Sequence, residues 1–200
     1  MEASVTLEAE KAALLRLRAG DVRALDVLVL RYQLEAVRAA FLITRDTGTA
    51  EDAAQSVFVR LVDRIRQYDP NRPFAPYLIR SVINEAIKLA QKRERDLSLD
   101  AETEGSALED LLPDWTNEPA TEFERGEVRR AIWDAMGKLP PKQRAVAVMR
   151  FYLEWSEAEM ADALNVPLGT VKWRLHDART RLQRMLAPYM SAALAAWLWT

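Results

Sequence analysis

The chain has 200 residues, half of them hydrophobic, with 28 basic and 30 acidic side chains for a net charge of -2. It contains no cysteine and one histidine, which excludes disulfides, thiol nucleophiles and the usual zinc ligand sets and fits a reducing cytoplasm. The length allows one sizeable core or two small ones, and two small domains fit better.

The amino-terminal run MEASVTLEAEKAALLRLRAG has acids where a signal peptide needs a basic region and lacks a long apolar run, so it reads as a short amphipathic helix. Leu25, Leu28, Val29, Tyr32, Ala36, Ala39 and Ala40 recur at helical intervals, as do Ala54, Val57, Phe58, Leu61, Val62 and Ile65. Thr49, followed by Glu51 and Asp52, supplies a cap and first-turn negative charge, which predicts a helix start near Ala50. The turn YDPNRP, Tyr68 to Pro73, ends that helix. A third is predicted from about Phe74 through Leu78, Val82, Ile83, Ala86, Ile87 and Ala90 to the basic cluster Lys92, Arg93 and Arg95. No useful strand alternation occurs, so this half is predicted to be an all-helical bundle. On its third helix Phe74, Tyr77, Arg80, Asn84 and Lys88 combine aromatic, amide and cationic groups. Such a set suits single-stranded DNA, because a ring stacks on an unpaired base, a carboxamide pairs with a base edge and a cation holds phosphate. Ordinary core packing for the two rings and solvent exposure for the others is the competing reading.

Between Asp96 and Glu127, eleven acidic side chains face one basic one. That composition repels itself too strongly for a packed core and reads as a flexible linker. Both flanking segments are then cationic, which restores the nucleic-acid partner that the overall charge argues against.

From Lys138 to Leu186 the turn chemistry describes a helix-turn-helix. Pro140 and Pro141 suit a helix start, and Val146, Met149 and Leu153 follow at helical spacing. Ser156 stands three residues before Glu159 as in a capping box, Trp155 and Met160 occupy the positions of a hydrophobic staple, and a helix is predicted from about Glu157. Asn165 tolerates the left-handed conformation that closes it, and Pro167 suits the opening of the next helix. There Val171, Leu175, Ala178 and Leu182 form one buried stripe. Thr170, Lys172, Trp173, Arg174, His176 and Arg179 lie off it, where a recognition helix reaches base edges and phosphates. The tail from Ala187 to Thr200 is apolar and ends in Trp197, Leu198 and Trp199, but roughly 14 residues are too few to span a bilayer. The predicted organisation is a helical domain over 1–95, a linker over 96–127, a helix-turn-helix domain over 128–186 and a tail over 187–200.

The stretch LPPKQRAVAVMRFYLEWSEAEMADALNVPLGTVKWRLHDARTRL resembles region 4 of the extracytoplasmic-function group of the sigma-70 family of bacterial RNA polymerase sigma factors. AEDAAQSVFVRL resembles region 2.2 of that family, and FAPYLIRSVINEAIKLAQKRER resembles regions 2.3 and 2.4. No counterpart of region 1.1 or of a full region 3 is visible. The resemblance implies an all-α protein of two small domains that binds core RNA polymerase and promoter DNA, catalyses no reaction, needs no cofactor, metal or small-molecule substrate, and acts in the cytoplasm under an anti-sigma factor. It implies that Asp52, Gln55 and Phe58, as polymerase-binding residues, lie on the helix that docks against the coiled-coil clamp of the polymerase's largest subunit. Tyr77, Arg80, Asn84 and Lys88 would lie beside a pocket for a base flipped from the -10 element, and Thr170, Lys172, Trp173, Arg174, His176, Asp177 and Arg179 would address the -35 element. Several residues depart from the family pattern: Ser56 stands for a glutamate, Tyr77 for tryptophan, Lys88 for aspartate, Trp173 for serine and Asp177 for arginine. The last two are expected to alter the preferred -35 sequence. Three rivals remain at this point: a polymerase-independent helix-turn-helix regulator, an enzyme, and an interaction protein that imitates a sigma factor.

Overall fold

The computed structural model describes residues 2–97 and 122–189, so most of the acidic linker and the apolar tail from position 190, with Trp197, Leu198 and Trp199, lie outside the described residues. The chain divides into two compact units, Met1–Ser98 and Leu99–Thr200. Among the described residues every regular element is an α-helix or a short 3₁₀ turn.

The first unit holds α1 (Glu2–Arg18), α2 (Leu25–Thr44), α3 (Thr47–Arg64) and α4 (Phe74–Leu97). The core is the packing of α2, α3 and α4 on one another, with α1 laid along α2. Their stripes meet as the periodicity predicts: Leu28, Tyr32, Ala36, Ala39 and Ala40 from α2, Ala54, Val57, Phe58 and Leu61 from α3, and Phe74, Leu78, Val82, Ile83 and Ala86 from α4 are all buried. Alanines at the α2 and α3 contacts let these helices approach closely. Gly20, at φ 97°, turns the chain out of α1, and Asp21 caps the following 3₁₀ turn by accepting from the Arg23 N–H. The α3 helix begins at Thr47, earlier than the Ala50 start expected from Thr49. Its cap is Asp46, whose Oδ1 accepts from the Thr49 N–H at 2.8 Å and the Thr49 hydroxyl at 2.6 Å.

The second unit holds α5 (Glu122–Gly137), α6 (Pro141–Phe151), α7 (Glu157–Leu164) and α8 (Leu168–Leu186), with α8 in contact with the other three. The α5 helix starts within the stretch read as linker and buries Ile132, Trp133, Ala135 and Met136. Pro141 opens α6 at its first position. The capping box forms in full, with Glu159 N–H donating to Ser156 Oγ at 3.2 Å and Ser156 N–H donating to Glu159 Oε2 at 2.8 Å. Asn165 closes α7 at φ 50°, ψ 51°, and Pro167 is the residue before α8 rather than its first helical one. Val171, Leu175, Ala178 and Leu182 are each no more than 2% exposed, so the recognition-type helix is pinned by one stripe and its other faces remain outside.

Candidate nucleic-acid interface

In the first unit a cavity of about 450 Å³ opens between α3 and α4. Tyr77, Arg80, Asn84 and Lys88, all singled out from the sequence, line it together with Arg60, Arg64 and Glu85. One turn of α4 separates Tyr77 from Arg80 and Ser81, another reaches Asn84 and Glu85, and a third reaches Lys88, so helical periodicity alone stacks this set along one side. Phe74, the fifth residue of the sequence-derived set, is 2% exposed and belongs to the core. Its function is indirect. The Tyr68 ring meets Phe74 edge-on at 5.5 Å and Tyr77 at 5.1 Å, so Tyr77 is held at the cavity by a packed ring cluster. Tyr68 is fixed in turn: its hydroxyl donates to the Arg72 carbonyl, and its own carbonyl accepts from Arg18 Nη1 of α1 at 2.9 Å.

The polar wall of the cavity is wired. Arg60 Nη1 donates to Ser56 Oγ at 2.6 Å and Arg60 Nη2 to Glu85 Oε2 at 2.9 Å, while Lys88 Nζ stands 3.4 Å from Glu85 Oε1. Asn84 Nδ2 donates back to the Arg80 carbonyl at 2.9 Å, which orients its carboxamide along the helix. Arg60, Arg64 and Glu85 were not singled out from sequence, although Arg60 and Arg64 fall a turn apart on α3. For Arg60 and Arg64 the signal was obscured because the cavity is made by two helices and periodicity is read one helix at a time; Glu85 shares the α4 face and was passed over because an acid does not suit a phosphate strand.

On α8 the sequence-derived residues divide. Lys172, Trp173 and His176 are exposed, Trp173 at 62%, and Thr170 and Arg174 are half-buried beside them near the amino end. Lys172 Nζ lies 3.9 Å from Glu157 Oε2 at the start of α7. Asp177 and Arg179 are turned toward the domain. Asp177 Oδ2 accepts from Gln143 Nε2 of α6 and from Arg181 Nε at 3.1 Å. The Arg179 guanidinium lies 5.7 Å from the Phe151 ring, and burial, with Arg150 nearby, lowers its pKa. Their carbon stems start at the edge of the buried stripe, and packing draws the charged ends onto α6 rather than outward.

On α3, Asp52 and Gln55 are exposed, with Val59 beside them at 61%. Phe58 is a correction: at 5% exposure it is a core side chain, because it falls four residues after Ala54 and three before Leu61 on the buried stripe. Among the described residues no cluster of His, Asp and Glu is placed to hold a metal ion, and no helix is long and apolar enough to cross a membrane.

Comparison with known proteins places both units in one family. Residues 28–96 match the family description "Sigma-70 region 2" and residues 129–182 match "Sigma-70, region 4". The chain is 31% identical over 179 residues to the ECF RNA polymerase sigma factor SigW of Bacillus subtilis, covering 88% of this chain and 96% of that relative. It is 27% identical over 197 residues to the RNA polymerase sigma-H factor of Pseudomonas aeruginosa, covering 94% and 100% respectively. Among solved structures, CnrH in complex with the cytosolic domain of CnrY shares the fold with a TM-score of 0.58 at 23% identity, covering 90% of this chain and 98% of that one. Two matched regions in family order, together with 31% identity over nearly the whole length of SigW, show that the chain belongs to the extracytoplasmic-function group of sigma-70 family RNA polymerase sigma factors.

Proposed function

We propose that this sigma factor docks on core RNA polymerase through the exposed face of α3, sets the amino-terminal part of α8 into the major groove of the -35 element, and captures an unpaired -10 base in the α3–α4 cavity. The observation that carries this reading is the cavity itself, where a buttressed aromatic ring, a carboxamide and four cationic side chains line one space. Stacking on a ring is worth roughly 1–3 kcal/mol, comparable with the cost of unstacking a base from duplex, so Tyr77 can offset part of the melting penalty. Asn84 offers an amide for a base edge, and Arg64, Arg80 and Lys88 bring positive charge to the sugar-phosphate strand. On α8, Lys172 and Arg174 address phosphate or base edges, Thr170 and His176 supply short polar contacts, and the Trp173 ring offers an apolar surface such as a thymine methyl prefers. Asp177 and Arg179 act here by holding α8 on α6.

Asp52, Gln55 and Val59 form the proposed polymerase contact, with Phe58 anchoring α3 from beneath. The protein catalyses no reaction of its own and acts in the cytoplasm. CnrH and the RpoE of Bartonella quintana were solved with CnrY and the anti-sigma factor NepR, and an anti-sigma partner is proposed for this chain by the same kinship. A polymerase-independent regulator is disfavoured, because it leaves the α3–α4 cavity without a use.

Two substitutions separate the proposed sites. Tyr77→Ala is expected to lower open-complex formation about tenfold while leaving binding to a double-stranded -35 fragment unchanged. Trp173→Ala is expected to weaken binding to that fragment and leave melting of a pre-bound promoter intact. Equal loss of both steps in both variants would contradict the assignment. Fluorescent-base reporters in the -10 element and gel shifts of the -35 fragment read the two steps.

A further inference from the structure

One acid lines the cavity among four cations: Glu85, whose side chain is 13% exposed. A carboxylate there repels the phosphates that the cations attract, so its presence needs a compensating use. Its geometry indicates one. Oε2 is fixed by Arg60 Nη2 at 2.9 Å, and Arg60 is itself anchored on Ser56 Oγ at 2.6 Å, so the orientation of the carboxylate is set from the α3 side. Oε1 faces the Lys88 ammonium at 3.4 Å, on a side chain that is 72% exposed and free to swing toward a phosphate. A carboxylate has about four acceptor sites, so Oε1 retains capacity for a new donor. Glu85 stands one residue after Asn84 and two turns after Tyr77, lining the same cavity as the ring on which a base would stack.

We propose that Glu85 is a specificity-determining residue of this cavity, selecting an unpaired base with an exocyclic amine over thymine. The inference rests on the base-capture reading above. Adenine, cytosine and guanine each carry an N–H₂ group that can donate to Oε1, whereas the one donor on thymine's pairing edge, N3–H, is flanked by two carbonyl oxygens whose lone pairs repel the carboxylate. A charge-assisted hydrogen bond gained in one case and a repulsion met in the other separate the bases by roughly tenfold. Arg60 and Ser56 are positioning residues, because they act by holding the carboxylate.

The test uses holoenzyme reconstituted from core polymerase and the full chain. A promoter set carries each of the four bases at every -10 position of the non-template strand, and 2-aminopurine fluorescence marks the position that becomes unstacked. The wild-type protein should disfavour thymine at that position by roughly tenfold in run-off transcription. Glu85→Gln keeps an oxygen for Arg60 and places an N–H₂ group where Oε1 was, so the bias against thymine should disappear with the melting temperature unchanged. A role confined to structure would alter yield on all four bases alike. A bias that persists in Glu85→Gln but is lost in Tyr77→Ala would overturn the inference and leave base capture standing. No base preference at any -10 position in the wild-type protein would overturn both.

Discussion

Arg144 is 4% exposed, and its guanidinium donates to the carbonyls of Met136 at 3.0 Å, Leu139 at 2.7 Å and Gly137 at 3.2 Å. A full positive charge thus meets the carbonyl end of α5, where partial negative charge collects. Arg144→Met keeps the stem but leaves those acceptors unpaired, and is expected to destabilise the second unit by about 3 kcal/mol. All six tryptophans lie beyond position 98, so denaturation followed by tryptophan fluorescence reports this unit alone. Glu10 plays the corresponding part in the first unit. It is 6% exposed, accepts from the Tyr32 hydroxyl and pairs with Arg31 Nε at 3.0 Å, fastening α1 to α2. Burial, and then the hydrogen bond to Glu10, push the Tyr32 pKa up from 10.0 to about 12. The folded state therefore disfavours the phenolate: the stabilisation is complete below about pH 10 and is lost as pH rises toward 12. Tyr32→Phe should remove this alkaline loss from a helical-content titration, whereas an unchanged titration would show that another group controls it. Neither buried charge was legible as such. Glu10 shares a face with Ala13, Leu14 and Leu17, and an acid on an apolar stripe was the available signal. Asp177 was read for its charge on a DNA-facing helix, whereas Gln143, 34 residues earlier, decides where its carboxylate points.

At the scale of helices, local chemistry was the dependable guide. Ser156, Glu159 and Asn165 act within a few residues of themselves, and each took the role their spacing implies. Hydrogen bonds from Ser156 hold the Glu159 carboxyl below its usual range. Ser156→Ala is expected to cost about 1 kcal/mol of second-unit stability, while Ser156→Asp should retain most of the cap. The start of α3 was misplaced because Thr49 looked like the cap; it is instead the residue that the true cap, Asp46, receives. Asp46 also pairs with Arg93 Nη1 at 2.6 Å, a partner from α4 that no local pattern discloses. The α5 helix was missed for a different reason. Ile132, Trp133 and Met136 are spaced for a helix, but the first turns of α5 sit in the acid-rich stretch, and composition outweighed periodicity in that window. The cavity shows the same limit. Its α4 wall could be assembled from one helix, whereas Arg60 and Arg64 needed the packing of α3 on α4 to be seen.

At the scale of the molecule, the near-neutral total conceals an uneven distribution, with the acid gathered between Asp96 and Glu127 and both flanking segments cationic. Promoter binding by the holoenzyme should therefore weaken as salt rises, through release of counterions from the phosphates that lysines and arginines contact. Lys172→Ala should reduce the slope of log affinity against log salt by about one and weaken all -35 sequences alike, as removal of a phosphate contact requires. A changed ranking of -35 sequences would instead assign Lys172 to base reading. The most direct measurement is run-off transcription from a library randomised in the -35 and -10 elements, with core polymerase and the purified chain added separately and together. The proposed mechanism predicts transcripts only from the combination, enriched for one bipartite motif whose -10 half is selected in the melted strand. Transcription that selects a -35 motif with no -10 preference, or binding to duplex DNA by the chain with no association with core polymerase, would contradict it.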